Sequence, residues 1–257
     1  MNFLHFSTAL AVFKRTWIKT LRRPVALTFS LAQPLMWMLF FGFLFQRYAL
    51  DDLPVGIRYL DFLVPGICAM TVLFGASQSG IELIRDMQNR FLDRIISTPA
   101  SKLMIMAGKI SADVSRLIIQ AFLVLLLGLA LGAKLQFTIW PLLHMVSSLL
   151  LFGIAFCSLS CWIALKARSQ ENMATFVHLI NMPMLFTSTA LVPAKQMPVW
   201  LAEIAHFNPL SLVVNNSRAA LLLGNTSPLQ SSILPLLITA GLLFLLTAYT
   251  LRSIKFK

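Results

Sequence analysis

Apolar residues are gathered into six blocks free of Asp, Glu, Lys and Arg, at 24–46, 62–81, 117–133, 135–165, 172–194 and the second half of 219–251. A hydrocarbon layer of roughly 30 Å is crossed by about 20 residues of helix. Backbone groups at that depth are satisfied only inside helices or closed barrels. Leu, Phe, Met and Ala fill the blocks without period-two alternation, which selects helices over strands. The pattern predicts an all-α membrane protein, a single domain over 1–257, with six transmembrane helices at 24–46, 62–83, 110–133, 139–165, 172–194 and 229–251.

The segments between the blocks have periodicities of their own. Phe3, Phe6, Leu10, Phe13, Trp17 and Leu21 recur at spacings of three and four, one apolar stripe of a helix over 1–23. Lys14, Arg15, Lys19, Arg22 and Arg23 lie beside it, as in an amphipathic interface helix resting among headgroups. Such a helix serves as a membrane anchor or as a lever on a cytoplasmic partner, and both readings stand. Arg22-Arg23-Pro24 ends it, since proline suits the first turn of the next helix but breaks an interior.

A second amphipathic helix is predicted over 84–98. Ile84, Met87, Phe91 and Ile95 make its apolar stripe, and Arg85, Asp86, Arg90, Asp93 and Arg94 occupy the rest. Asp86 and Arg90, four apart, are expected to pair for about 0.2–0.5 kcal/mol. A helix made for anionic lipid alone would carry few carboxylates, so the mixed signs favour a protein partner over a solvated connector.

Between the fifth and sixth blocks, Pro198, Pro209 and Gly224-Asn225 divide 196–225 into two short helices, each too short to cross. Backbone broken at depth has to be covered by protein or line a wet cavity, and Asn208, Asn215, Asn216 and Arg218 are suited to satisfy it. Arg218 reads either as an interfacial anchor reaching outward or as half of an internal ion pair with Glu203.

Composition narrows the function classes. Of the 257 residues, 58% are hydrophobic and 12% charged, leaving little beyond short loops for any soluble domain. A net charge of +12 invites a nucleic-acid reading, but placement argues otherwise: sixteen of the 21 Lys and Arg fall in alternate segments starting from the amino terminus. That asymmetry predicts both termini in the cytoplasm and no nucleic-acid partner. A secretory signal peptide is not expected, because no small-residue cleavage pattern follows the first apolar block. Cys68, Cys157 and Cys161 fall within predicted spans and read as small packing groups.

Other chemistry is thin. His5, His144, His178 and His206 have no metal-ligand spacing, and no metal is expected. Asp51-Asp52 reads as a helix cap before it reads as a cation site. Gly75-Ala-Ser-Gln-Ser-Gly80 has the glycine spacing of a phosphate loop, but Ile81-Glu82 replaces the required Lys and Ser or Thr. Its small residues, within a span, suit close helix packing instead. Gly128-Leu-Ala-Leu-Gly132 is a second stripe of this kind. An ATP-independent secondary transporter or channel is the competing class, and such proteins place ionisable groups inside their spans. A membrane-embedded transferase or protease would need converging catalytic groups.

Several motifs, in order, resemble the type-2 ABC exporter permeases. After the basic amino-terminal helix come Gln33-Pro34 and Phe40-Phe41-Gly42 in the first span. Phe62-Leu63-Val64-Pro65-Gly66 opens the second, and Ser97-Thr98-Pro99 closes the inner helix. Near the end stand Phe207-Asn208-Pro209-Leu210 and Arg218-Ala219-Ala220-Leu221, similar to the Asn-Pro…Arg pattern of that family. The likeness spans essentially the whole chain and is nearest the daunorubicin-resistance and lipid-exporting branch.

The resemblance implies that Ile84 to Thr98 couple to a separate cytoplasmic ATPase subunit, with ATP and Mg bound there and no cofactor in this chain. It implies that 196–225 forms re-entrant helices dipping into the outer leaflet. It also implies pairing with a second permease copy, and export of an amphiphilic compound, drug, lipid or lipid-linked glycan across a bacterial plasma membrane.

Overall fold

A computed structural model describes residues 2–22, 24–45, 57–97, 101–224 and 229–253. Arg23, Asp51, Asp52, Thr98, Pro99 and Asn225, which entered the sequence reading, lie outside them. The described residues form helices α1 (Asn2–Leu21), α2 (Pro24–Leu44), α3 (Tyr59–Gln88), α4 (Phe91–Ile96), α5 (Lys102–Ala130), α6 (Ile139–Ala167), α7 (Gln170–Phe186), α8 (Val199–Phe207), α9 (Pro209–Leu223) and α10 (Leu229–Ser253). Among the described residues, four stretches are long and apolar enough to cross a membrane: Tyr59–Gln88, Lys102–Ala130, Ile139–Ala167 and Ile233–Leu251. The first expected span, 24–46, overlaps α2, whose described apolar part, Ser30–Leu44, is shorter than those four. The fifth expected span, 172–194, is cut short: α7 ends at Phe186 and the chain turns through 187–193.

α3 is the central post, packed on α5 and α6, with α10 laid against α6 and α1 against α5. Its helix is buried nearly all round, which its sequence allows because Gly75, Ala76, Ser77, Ser79 and Gly80 let neighbours approach. The Gly80 amide donates to Ser160 Oγ at 3.0 Å, and a Cβ at Gly80 would lie 2.5 Å from the Ser160 carbonyl oxygen. A Cβ at Gly75 would instead meet the movable end of the Leu117 side chain. We therefore expect Gly80→Ala to lower thermal stability in detergent by about 1–3 kcal/mol and Gly75→Ala to leave it nearly unchanged, as read by the melting of purified protein.

α1 packs through a small, polar face. Val12, Thr16 and Thr20 are buried, and each threonine hydroxyl donates to the carbonyl four residues back. Leu10, Ile18 and Leu21 stay exposed on the other side. Of the stripe read from the sequence, Leu10 and Leu21 thus lie away from the core while Phe13 and Trp17 are half-buried. Trp17 Nε1 donates to Ser115 Oγ at 2.9 Å and ties α1 to α5.

Candidate functional site

Two polar sites lie at opposite ends of α3. At the Gln88 end the predicted helix over 84–98 is not continuous. α3 runs to Gln88, Arg90 takes a left-handed conformation (φ 53°), and α4 restarts at Phe91. Spacing alone does not reveal this break, because the apolar positions keep their three-and-four rhythm across it. Arg94 stabilises the elbow by donating from its side chain to the Arg90 and Asn89 carbonyls, both at 3.3 Å, the first of which also accepts from the Arg94 amide as α4 begins. Ile84 is buried and Met87, Phe91 and Ile95 are half-buried, while Arg85, Arg90 and Arg94 are exposed and Asp93 is half-exposed. The apolar stripe therefore faces the bundle together with Asp86, and the three arginines face away.

The expected Asp86–Arg90 pair is replaced by a longer-range one. Asp86, buried, receives Lys19 Nζ at 2.9 Å and both guanidinium nitrogens of Arg15 at 3.2 and 3.3 Å. The Arg15 guanidinium also lies 3.3 Å over the Phe91 ring. One arginine of α1 thus holds the end of α3 and the start of α4 together. Nearby, Arg116 meets Glu82 at 3.5 Å, and Arg85 donates to Gln170 at the start of α7.

One turn deeper, Lys109 Nζ lies 2.8 Å from Asp113 Oδ2 on α5, with both side chains almost wholly buried and the Ser79 hydroxyl also donating to Asp113. Sequence reasoning counted Lys109 only among the topology charges and gave Asp113 no role. The signal that could have found the deepest pair is Lys109-x-x-x-Asp113, opposite charges one helical turn apart beside an apolar block.

At the other end, the turn after α7 is satisfied by α9. Asn208 caps α9 by accepting from the Leu210 amide at 2.9 Å and donates to the Met184 carbonyl at 2.7 Å. Pro209 follows at the first helical position, which suits its missing N–H. Ser211 Oγ accepts from the Thr189 amide, and Asn215 accepts from the Thr189 hydroxyl. Arg218 is neither the outward anchor nor the Glu203 partner predicted. It is buried, with Nε donating to Phe62 O at 2.9 Å, Nη1 to Thr189 O at 2.6 Å and Nη2 to Ala190 O at 2.7 Å, and it stacks 3.4 Å over the Phe62 ring. Glu203 is exposed on α8. Of the four polar residues singled out here, Asn216 is the one left with a buried unpartnered nitrogen, Nδ2.

These elements coincide with a family model. Residues 8–222, from α1 through the buried turn to α9, match the ABC-2 type transporter model. The chain belongs to the ABC-2 type transporter family. The permease is similar to a transport permease of Cyanophora paradoxa, 32% identical over 84% of this chain and 75% of that protein. A daunorubicin resistance ABC transporter permease protein of Streptomyces coeruleorubidus is 26% identical over 91% of this chain and 81% of its own length. Nodulation protein J of Sinorhizobium fredii is 25% identical over 83% and 80%. The α3–α4 elbow and the Arg218 turn both fall inside the region that defines the ABC-2 permeases.

Proposed function

We propose that this permease is the membrane half of an ATP-driven exporter, with six spans, cytoplasmic termini and a separate ATPase subunit docked at the α3–α4 elbow. In this reading α2 and the segment from α7 through its terminal turn supply the two spans beyond the four long apolar helices, and α8 and α9 form the re-entrant pair in the outer leaflet. A second copy of the permease completes the pathway in a bacterial plasma membrane, ATP and Mg being held by the partner. The cargo is an amphiphilic compound, drug, lipid or lipid-linked glycan.

The observation that carries this reading is the elbow itself: Arg15 of α1 bound to Asp86 of α3 and stacked on Phe91 of α4. A push on the exposed Arg90 and Arg94 and the half-exposed Asp93 reaches α1 and α3 together through those contacts, so movement of a docked subunit displaces a rigid span. Charge reversal of the outward face, Arg90→Glu with Arg94→Glu, is expected to lower co-purification of the ATPase and ATP-driven transport severalfold while membrane insertion is retained. Unchanged co-purification and transport would refute the docking role.

A second reading, an ATP-independent secondary transporter, has one observation in its favour, the buried Lys109–Asp113 pair within a span. Uptake into vesicles that persists without hydrolysable ATP and follows an ion gradient would select it.

A further inference from the structure

A cleft of about 450 Å³ lies between α1, α2, α3 and α5, and its lining changes character steadily along its length. On α3 the lining positions run Ile67, Met70 and Phe74, then Gln78, then Glu82 and Arg85. Eighteen residues of helix separate Ile67 from Arg85, about 27 Å at 1.5 Å per residue. α2 repeats the gradient in the opposite chain direction, with Ser30 and Gln33 followed by Trp37, and α5 does so with Arg116 followed by Gln120. The cleft is therefore charged at the elbow end, amide-lined in the middle and aromatic at depth.

The charged end is lined by Lys19, Arg85 and Arg116 against Glu82, with Lys19 already paired to Asp86 and Arg85 held only by the neutral Gln170 amide. Its strongest available donor is Arg116. That guanidinium reaches Glu82 through Nη1 at 3.5 Å, a long contact, and its Nε is buried without a hydrogen-bond partner. A buried N–H on a charged group is costly unless something accepts from it. The volume falls in the range of small-molecule sites, and a few convergent polar groups over an apolar wall are the usual composition of one.

We infer that this cleft binds an amphiphile with an anionic headgroup, phosphate or carboxylate, seated on Arg116 and Arg85, its apolar body lying along α3 against Phe74 and Trp37. This rests on the exporter reading above and narrows its cargo to acidic amphiphiles. In the free permease Glu82 occupies part of the headgroup position, so the ligand competes with Glu82 for Arg116.

The test uses purified full-length permease in a neutral detergent, with the four other tryptophans (Trp17, Trp140, Trp162 and Trp200) replaced by Phe so that Trp37 alone fluoresces. The probe is an alkyl phosphate carrying bromine at its chain end, which quenches Trp37 only when its tail lies in the cleft. Saturable quenching is expected, stronger than with a brominated alkyl maltoside of the same chain length. Arg116→Gln is expected to weaken it about tenfold or more, as for loss of a charged hydrogen bond, and Glu82→Gln to tighten it a few-fold by freeing Arg116. Inorganic phosphate at the same concentration should not displace the probe.

Opposite signs for the two variants separate a ligand site from a structural ion pair, which both variants would damage alike. Equal quenching by the neutral probe, parallel loss in both variants, or displacement by phosphate alone would overturn the inference. ATPase co-purification, scored on the same preparations, reports the exporter reading independently.

Discussion

Arg218→Ala is expected to yield permease that inserts but does not hold the turn after α7. The guanidinium serves three buried carbonyl oxygens on two separate segments, Phe62 of α3 and Thr189 and Ala190 of the turn. Each acceptor left unsatisfied costs about 1–3 kcal/mol where neither water nor another donor can replace the arginine. The loss is therefore a large part of the stability of an ordinary domain, about 5–15 kcal/mol, and falls chiefly on the Thr189 and Ala190 carbonyls, which lie outside any helix. Arg218→Lys is expected to recover only part of it, because an ammonium cannot fork to acceptors lying in one guanidinium plane. The measurement is the fraction of monodisperse protein on size exclusion together with proteolytic cleavage between 187 and 193. Sharp elution and an uncut turn in Arg218→Ala would contradict the role assigned to the arginine.

The second large effect concerns Lys109 and Asp113. Asp113→Ala leaves a buried ammonium without its counter-ion and is expected to destabilise the permease by about 3–5 kcal/mol. Lys109→Met with Asp113→Leu, which removes both charges and keeps the volume, is expected to melt close to the parent or above it, since a buried pair often contributes no more than an apolar replacement. Thermal unfolding of the single and double variants in one detergent decides this. A double variant as unstable as the single one would mean that the pair, not the avoidance of a lone charge, holds α5 in place.

Legibility differed between elements for physical reasons. The long apolar helices were readable because hydropathy is a local property and a bilayer selects on it directly. The caps around Asn208-Pro209 were readable because capping acts over two or three residues. The end of α7 was not: residues 187–193 continue an uncharged block, and what holds their turn is donation from Asn208 and Arg218 and acceptance by Ser211, about 20 residues or more away in sequence. The break at Arg90 was hidden because helical periodicity survives a single left-handed residue. The charges of α1 were counted correctly for their number but not for their partners, since Arg15 and Lys19 meet Asp86 across 71 and 67 positions. Proximity of that kind is a property of packing and is absent from any local window.

The most direct measurement is chemical capture at the elbow. Cys68, Cys157 and Cys161 are buried, so a benzophenone can be placed selectively on Arg94→Cys and, at the opposite end, on Phe207→Cys. Illumination of intact membranes is predicted to join the permease to a nucleotide-binding polypeptide from position 94 and not from position 207. Capture of that polypeptide from 207, or none from 94 while ATP-driven transport continues, would contradict the account.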